Sequence, residues 1–121
     1  MRPAAVLERR NAEREQRLRT ARAFVAGLSE TLGPQAAAEF GSVARGDFNS
    51  HSDTDLLVVV AAAGSDYWGR LEALGDVPAG VEPVVWTAAE WRRQRDRGNP
   101  IAVEAERCGV WLVGNADTAS T

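Results

Sequence analysis

The chain contains no lysine, and all fourteen of its positive charges are arginine. With many alanines and glycines beside them, this reads as compositional bias rather than chemistry. Cysteine is nearly absent. Cys108 stands alone, so no internal disulfide can form, as suits a protein of a reducing compartment. With no histidine or second cysteine near it, Cys108 is expected to be an inert buried thiol. Histidine is equally scarce: His51 is the only one, in a polar stretch that reads as a solvated loop. A surplus of positive charge is also missing. The net charge is −3 and the pI about 5.2, which argues against a general nucleic-acid binder. Long apolar runs are absent too. The longest, from Leu56 to Ala63, is far too short to span a bilayer, and no apolar signal core follows Met1-Arg2-Pro3. No membrane association and a cytoplasmic location are therefore expected.

What remains is 121 residues of ordinary globular composition, 45% hydrophobic and 26% charged, enough for one domain with a single core. The charge is unevenly placed. Residues 1–31 hold seven Arg and four Glu, whereas residues 32–121 hold seven Arg and thirteen acids. Residues 4–32 read as one long helix. Its first half is dense in Arg and Glu, the pattern of a solvated face with i,i+4 pairs. A protruding arm for dimer or partner contact is the competing reading. Leu18, Ala21, Val25, Leu28 and Leu32 form an apolar stripe in the second half, and Gly33-Pro34 ends the helix. The organisation expected is an N-terminal helix over 1–32 packed on a domain over 33–114, with a small, polar, disordered tail over 115–121.

Within that domain, Gln35 to Phe40 reads as a strand, broken by Gly41-Ser42 and a short helical turn to Arg45. Asp53 to Val60 is the clearest strand, apolar on both faces from Leu56 onward and so expected at the sheet centre. A helix is predicted over Asp66 to Leu74 and a strand over Val81 to Trp86. Pro83 lies inside that strand and cannot donate to a ladder, which places it at an edge or a bulge. Thr87-Ala88-Ala89-Glu90 is a capping box opening a helix to about Arg97. Pro100 opens another, to about Arg107, and Val110 to Val113 is a last strand. Strands separated by helices imply an α/β fold with a small mixed sheet flanked by helices.

Asp53 and Asp55 are two apart at the start of the central strand, so both carboxylates face one way and Thr54 faces the other. Their Cα atoms lie about 7 Å apart, close enough for their oxygens to converge on one divalent cation or on a pair. Such hard oxygen donors suit Mg²⁺ or Mn²⁺. Seen alone, this pair is more often a polar strand start than a metal site. Gly41-Ser42 follows a strand: glycine lets the backbone approach a phosphate, and the serine hydroxyl can donate to one. Seen alone it is an ordinary turn. Glu82, near the start of the next long strand, completes an acidic triad if that strand lies beside Asp53–Val60, and is otherwise an exposed edge residue. Arg45 either contacts a phosphate or pairs with Asp47 or Glu39 to hold its loop, and the pairing is favoured. Trp68, Trp86, Trp91 and Trp111 read mostly as core or flank residues, with base stacking open to any of them.

Taken together, these elements are far more specific. Gly41-Ser42-Val43-Ala44-Arg45-Gly46, five residues, then Ser52-Asp53-Thr54-Asp55-Leu56-Leu57-Val58 closely resembles the signature of the DNA polymerase β-like nucleotidyltransferase superfamily. The sequence is most similar to the minimal nucleotidyltransferases, or MNT proteins, of prokaryotes. The resemblance covers about residues 32–113, without a gap between the two motifs. It implies that Gly41 and Ser42 hold a nucleoside triphosphate with Arg45 nearby, that Asp53 and Asp55 bind Mg²⁺ or Mn²⁺, and that a third acid, here Glu82, completes the site. The family's third acid is usually Asp; Glu82 followed by Pro83 departs from that pattern.

The resemblance further implies transfer of AMP from ATP to a hydroxyl acceptor. MNT proteins are often paired with a HEPN-domain protein in toxin–antitoxin modules, so the implied acceptor is a hydroxyl on a HEPN toxin. Two other readings stay open: an inactive antitoxin acting by binding alone, and a small-molecule, aminoglycoside-type enzyme with its acceptor pocket built across a homo-oligomer.

Overall fold

A computed structural model describes residues 3–28, 32–46, 48, 52–61 and 66–120. In chain order the elements are α1 (Pro3–Gly27), β1 (Ala36–Phe40), α2 (Gly41–Arg45), β2 (Thr54–Val60), α3 (Tyr67–Ala73), β3 (Val81–Thr87), α4 (Ala88–Asp96), α5 (Pro100–Cys108), β4 (Val110–Val113) and α6 (Ala116–Ala119). The four strands form one mixed sheet in the order β3-β2-β1-β4. β1 runs antiparallel to both β2 and β4, whereas β2 and β3, joined through α3, are parallel. This is the α/β arrangement expected from the alternation of strand and helix patterns.

Helices cover both faces. On one, α1 lays Ala21, Val25 and Leu28 against Ala37, Leu56 and Val58. On the other, α4, α5 and α6 bury Trp91, Ala102, Ala105 and Ala119 against Ala36, Leu57 and Val59. Covered on both sides, β2 is buried at every position except Asp55, which is half-exposed. The apolar stripe of α1 lies where its helical spacing put it, and Leu18 joins it. Residues 5–12 of the same helix are exposed throughout. The α-helix is described to Gly27, with a tighter turn at Leu28, and the expected continuation to residue 32 falls on residues that are only partly described. Residues 29–31 lie outside the described residues.

β3 is an edge strand, as Pro83 requires. The Thr87–Glu90 capping box forms with reciprocal bonds of 2.9 and 3.1 Å, and Asn99 caps α5 with Pro100 in its first turn. Trp86 and Trp111 pack on the fully buried Trp91 at centroid distances of 6.4 and 5.9 Å, so these three rings belong to the core.

Two expectations are corrected. Residues 115–120 of the expected tail carry regular structure: Asn115 caps α6 by accepting from Asp117 and Thr118, and Ala119 is fully buried. The Trp91 indole N–H donates to Ser120 Oγ at 3.2 Å, and the Gln35 amide donates to the Thr118 carbonyl at 2.8 Å. Small polar residues that look disordered are here the ones small enough to seat a short helix on the sheet. Cys108 is exposed rather than buried, because it ends α5 beyond the buried positions Ala102 and Ala105.

Candidate active site

The chain leaves β1 at Phe40 and turns through Gly41 at φ +80° directly into α2. A residue with a Cβ is strained there, and the Cβ itself would sit 2.2 Å from Asp55 Oδ2. The glycine therefore serves a close approach: its backbone lies against the carboxylate across the antiparallel pair Phe40↔Asp55. Phe40, at the N-cap of α2, offers the first-turn amides no side-chain acceptor, and Ser42 is partly exposed beside them.

Pleating sends Asp55 to one face of the sheet and Thr54 to the other, and Asp53 precedes the first residue of the strand. Asp53 is exposed and Asp55 half-buried. The parallel register sets Glu82 directly beside Asp55, on the same face and exposed. Pro83 pairs with Leu56, one step further in, and leaves Glu82 at the rim. Asp55 titrates above the usual carboxylate range. Burial is the main cause, followed by the negative charges of Glu82, Asp53 and Glu104, with Arg45 pulling the other way.

Among the described residues, no three Asp, Glu, His or Cys side chains already stand together as a metal cage. The donor set nevertheless fits a hard divalent cation. Asp55 and Glu82 lie side by side on one face, and the negative charges of Glu82, Asp53 and Glu104 act on Asp55 against the pull of Arg45, a burden that a cation would relieve.

A cleft of about 350 Å³ opens in front of Asp55, lined by Phe40, Gly41, Ser42, Arg45, Asp55 and, from α5, Pro100, Ile101 and Glu104; Asp53 and Glu82 are not part of its lining. Gly41, Ser42 and Arg45 therefore meet Asp55 in one cavity, as expected. The contribution of α5 was not anticipated from the sequence. Its signal was present, since residues 100, 101 and 104 share one helical face. Arg45 forms an ion pair with Glu104 across this cleft. Glu39, one of the two partners expected for Arg45, points to the α1 face instead. Asp47, the other, lies outside the described residues, as does His51.

The pattern of a four-stranded mixed sheet, a glycine-serine turn and an acid pair at the mouth of the central strand is that of a nucleotidyltransferase. Residues 21–104 match the family model of the nucleotidyltransferase domain. The chain belongs to that family. Among solved structures, a candidate nucleotidyltransferase from Sulfolobus solfataricus shares the fold, with a TM-score of 0.63 over 84% of each chain and 20% identity. No curated protein sequence matches. None of the helices among the described residues is long and apolar enough to cross a membrane.

Proposed function

We propose that the protein is a metal-dependent nucleotidyltransferase that moves AMP from ATP to a hydroxyl acceptor. The observation that carries this reading is the seating of the Gly41 backbone on the Asp55 carboxylate, with Glu82 in register beside it. That contact joins a phosphate-type turn to Asp55 in one cleft, with Glu82 paired beside Asp55 on the neighbouring strand. Gly41 and Ser42 hold the triphosphate through backbone N–H groups and the serine hydroxyl. Arg45 moves from Glu104 toward the phosphates, where its fork of donors matches their oxygens. Asp53, Asp55 and Glu82 would hold Mg²⁺ or Mn²⁺, which would supply positive charge against the triphosphate. The acceptor oxygen forms a bond to the α-phosphorus while the α–β anhydride bond breaks and pyrophosphate departs. Glu82, exposed at the rim where an acceptor arrives, takes the hydroxyl proton on its carboxylate.

The acceptor we propose is a hydroxyl on a partner HEPN-domain toxin, silenced by adenylylation in the cytoplasm, as the likeness to MNT proteins implies. The exposed first half of α1 is the surface offered for a second copy or a partner. A second reading, an antitoxin that acts by binding alone, is favoured by the absence of a ready metal cage among the described residues. Incubation with labelled ATP, Mg²⁺ and a co-expressed HEPN partner separates them. Label on the partner that disappears in Asp53→Asn supports the enzyme. Silencing of the partner with no label transferred supports binding alone.

A further inference from the structure

The charged half of α1 reads as a solvated face by sequence, yet two arginines in it contact α2 and the residue before Asp53. Arg14 donates through Nε to the Val43 carbonyl at 3.2 Å and through Nη2 to the Ala44 carbonyl at 2.8 Å. Both carbonyls belong to α2, the helix that begins at Gly41-Ser42. Cationic donors at the last carbonyls of a helix satisfy groups that have few other partners. One turn further on, Arg17 donates to the Ser52 carbonyl, in the residue just before Asp53. Its guanidinium also lies over the ring of the buried Phe48, 5.1 Å from the centroid, and Glu13 pairs with it at 3.1 Å. The two side chains thus grip opposite ends of the segment that separates Gly41-Ser42 from Asp53 and Asp55. They do so from the α1 side of the sheet, behind the cleft.

We infer that Arg14 and Arg17 are positioning residues, a clamp that sets the nucleotide-binding turn and the acid pair at their working separation. The assignment rests on the reading of that turn and those acids under Proposed function. Each arginine holds one half of the site: Arg14 the phosphate side, Arg17 the acidic side. Lysine cannot replace Arg14, because a single ammonium lacks the fork that spans two successive carbonyls. Held from behind, neither half needs to be ordered by the ligand, which lowers the cost of binding.

The test is calorimetric titration of a non-transferable ATP analogue with an α,β-methylene bridge, at graded Mg²⁺, into the full chain. Arg14→Gln is expected to weaken nucleotide affinity by about tenfold or more even at saturating Mg²⁺, and Arg14→Lys to restore only part of it. Arg17→Gln is expected to raise the Mg²⁺ needed for half-maximal binding by about tenfold, with a smaller loss at saturation. Val25→Ala, which loosens the buried stripe of α1 without touching the clamp, is the control and keeps the parent's affinity. Parent-like binding by both folded arginine variants overturns the clamp, and so does an equal loss in Val25→Ala. Failure of the parent itself to bind Mg-nucleotide is a failure of the functional reading. In that event the clamp stands or falls on amide exchange in the free protein: faster exchange over residues 42–46 and 53–55 in the variants supports it, and unchanged exchange overturns it.

Discussion

Glu39 and Asp55 sit on neighbouring strands near the same end of the sheet, but they face opposite sides of it. Glu39 pairs across the ladder with Leu56 and points toward α1, whereas Asp55 pairs with Phe40 and points into the cleft. Glu39 is fully buried, and neither of its carboxylate oxygens has a hydrogen-bond partner among the described residues. Burial pushes its carboxyl up to about 7, against the opposing pull of Arg14, Arg17 and Arg22 on α1. Burial raises Asp55 as well, but there Glu82, Asp53 and Glu104 add to the shift and Arg45 alone opposes it. The surroundings, not the burial, tell the two apart. Arginines around a carboxylate leave nothing for a metal to neutralise, whereas acids around a carboxylate create the demand for one. The α1 face is therefore read as support and the α5 face as the reaction side.

The strongest way to break this contrast is to remove each carboxylate in turn. Asp55→Asn is expected to lower label transfer from ATP on the order of 10³-fold, the scale on which losing one charge-stabilising group is felt. Glu39→Gln is expected to keep transfer near the parent rate. Equal losses in the two variants would dissolve the distinction between the faces.

The next largest effect is at the turn. Gly41→Ala drives a Cβ into Asp55 Oδ2, whereas a Cβ at Gly46, which has a similarly positive φ of +85°, meets nothing within 4 Å. Both substitutions carry a backbone penalty of about 1–2 kcal/mol. Only Gly41→Ala is expected to abolish Mg-ATP binding as well, as measured by calorimetry on the folded fraction.

Glu39 sharpens the comparison through pH. Its native pKa lies above its unfolded value, so the native state holds the proton more tightly. The contribution to stability is full below the ordinary value of 4.5 and is lost as pH rises through about 7. The total is about 3 kcal/mol. Denaturant melts of Glu39→Gln and the parent across that window are expected to show the parent losing stability relative to the variant as pH rises. Asp55 is shifted in the same direction and is present in both proteins, so the difference isolates Glu39.

The smallest effect is expected at the ion pair across the cleft. Glu104→Gln frees Arg45 for phosphate and removes a negative charge near the triphosphate, which is expected to tighten nucleotide binding about two- to fivefold. Weaker binding would instead assign Glu104 a direct role in holding the nucleotide.

Much of the fold was legible because β2, β4, the α1 stripe and the α4 capping box are local patterns with a physical period. The pairing of Glu82 with Asp55 was legible only as a condition, since it depends on which strands are neighbours. Arg14 and Arg17 were not legible at all: their acceptors are backbone carbonyls, which no side-chain pattern announces. For the same reason a charged helical half read as solvated conceals contacts with α2 and with the residue before Asp53. Glu104 was missed because it joins the cleft only through the packing of α5 on α2. The helix α6 was missed because its capping box begins at Asn115 in a stretch of small residues that carries no apolar stripe.

The central claim is that the α5 face of the sheet holds a nucleoside triphosphate together with a divalent cation. Calorimetric titration of ATP into the parent protein and Asp55→Asn, each with and without Mg²⁺, tests it most directly. The account predicts binding by the parent that requires Mg²⁺ and is lost in Asp55→Asn while the fold persists. Mg²⁺-independent binding that survives Asp55→Asn, or no binding by the folded parent, would contradict it.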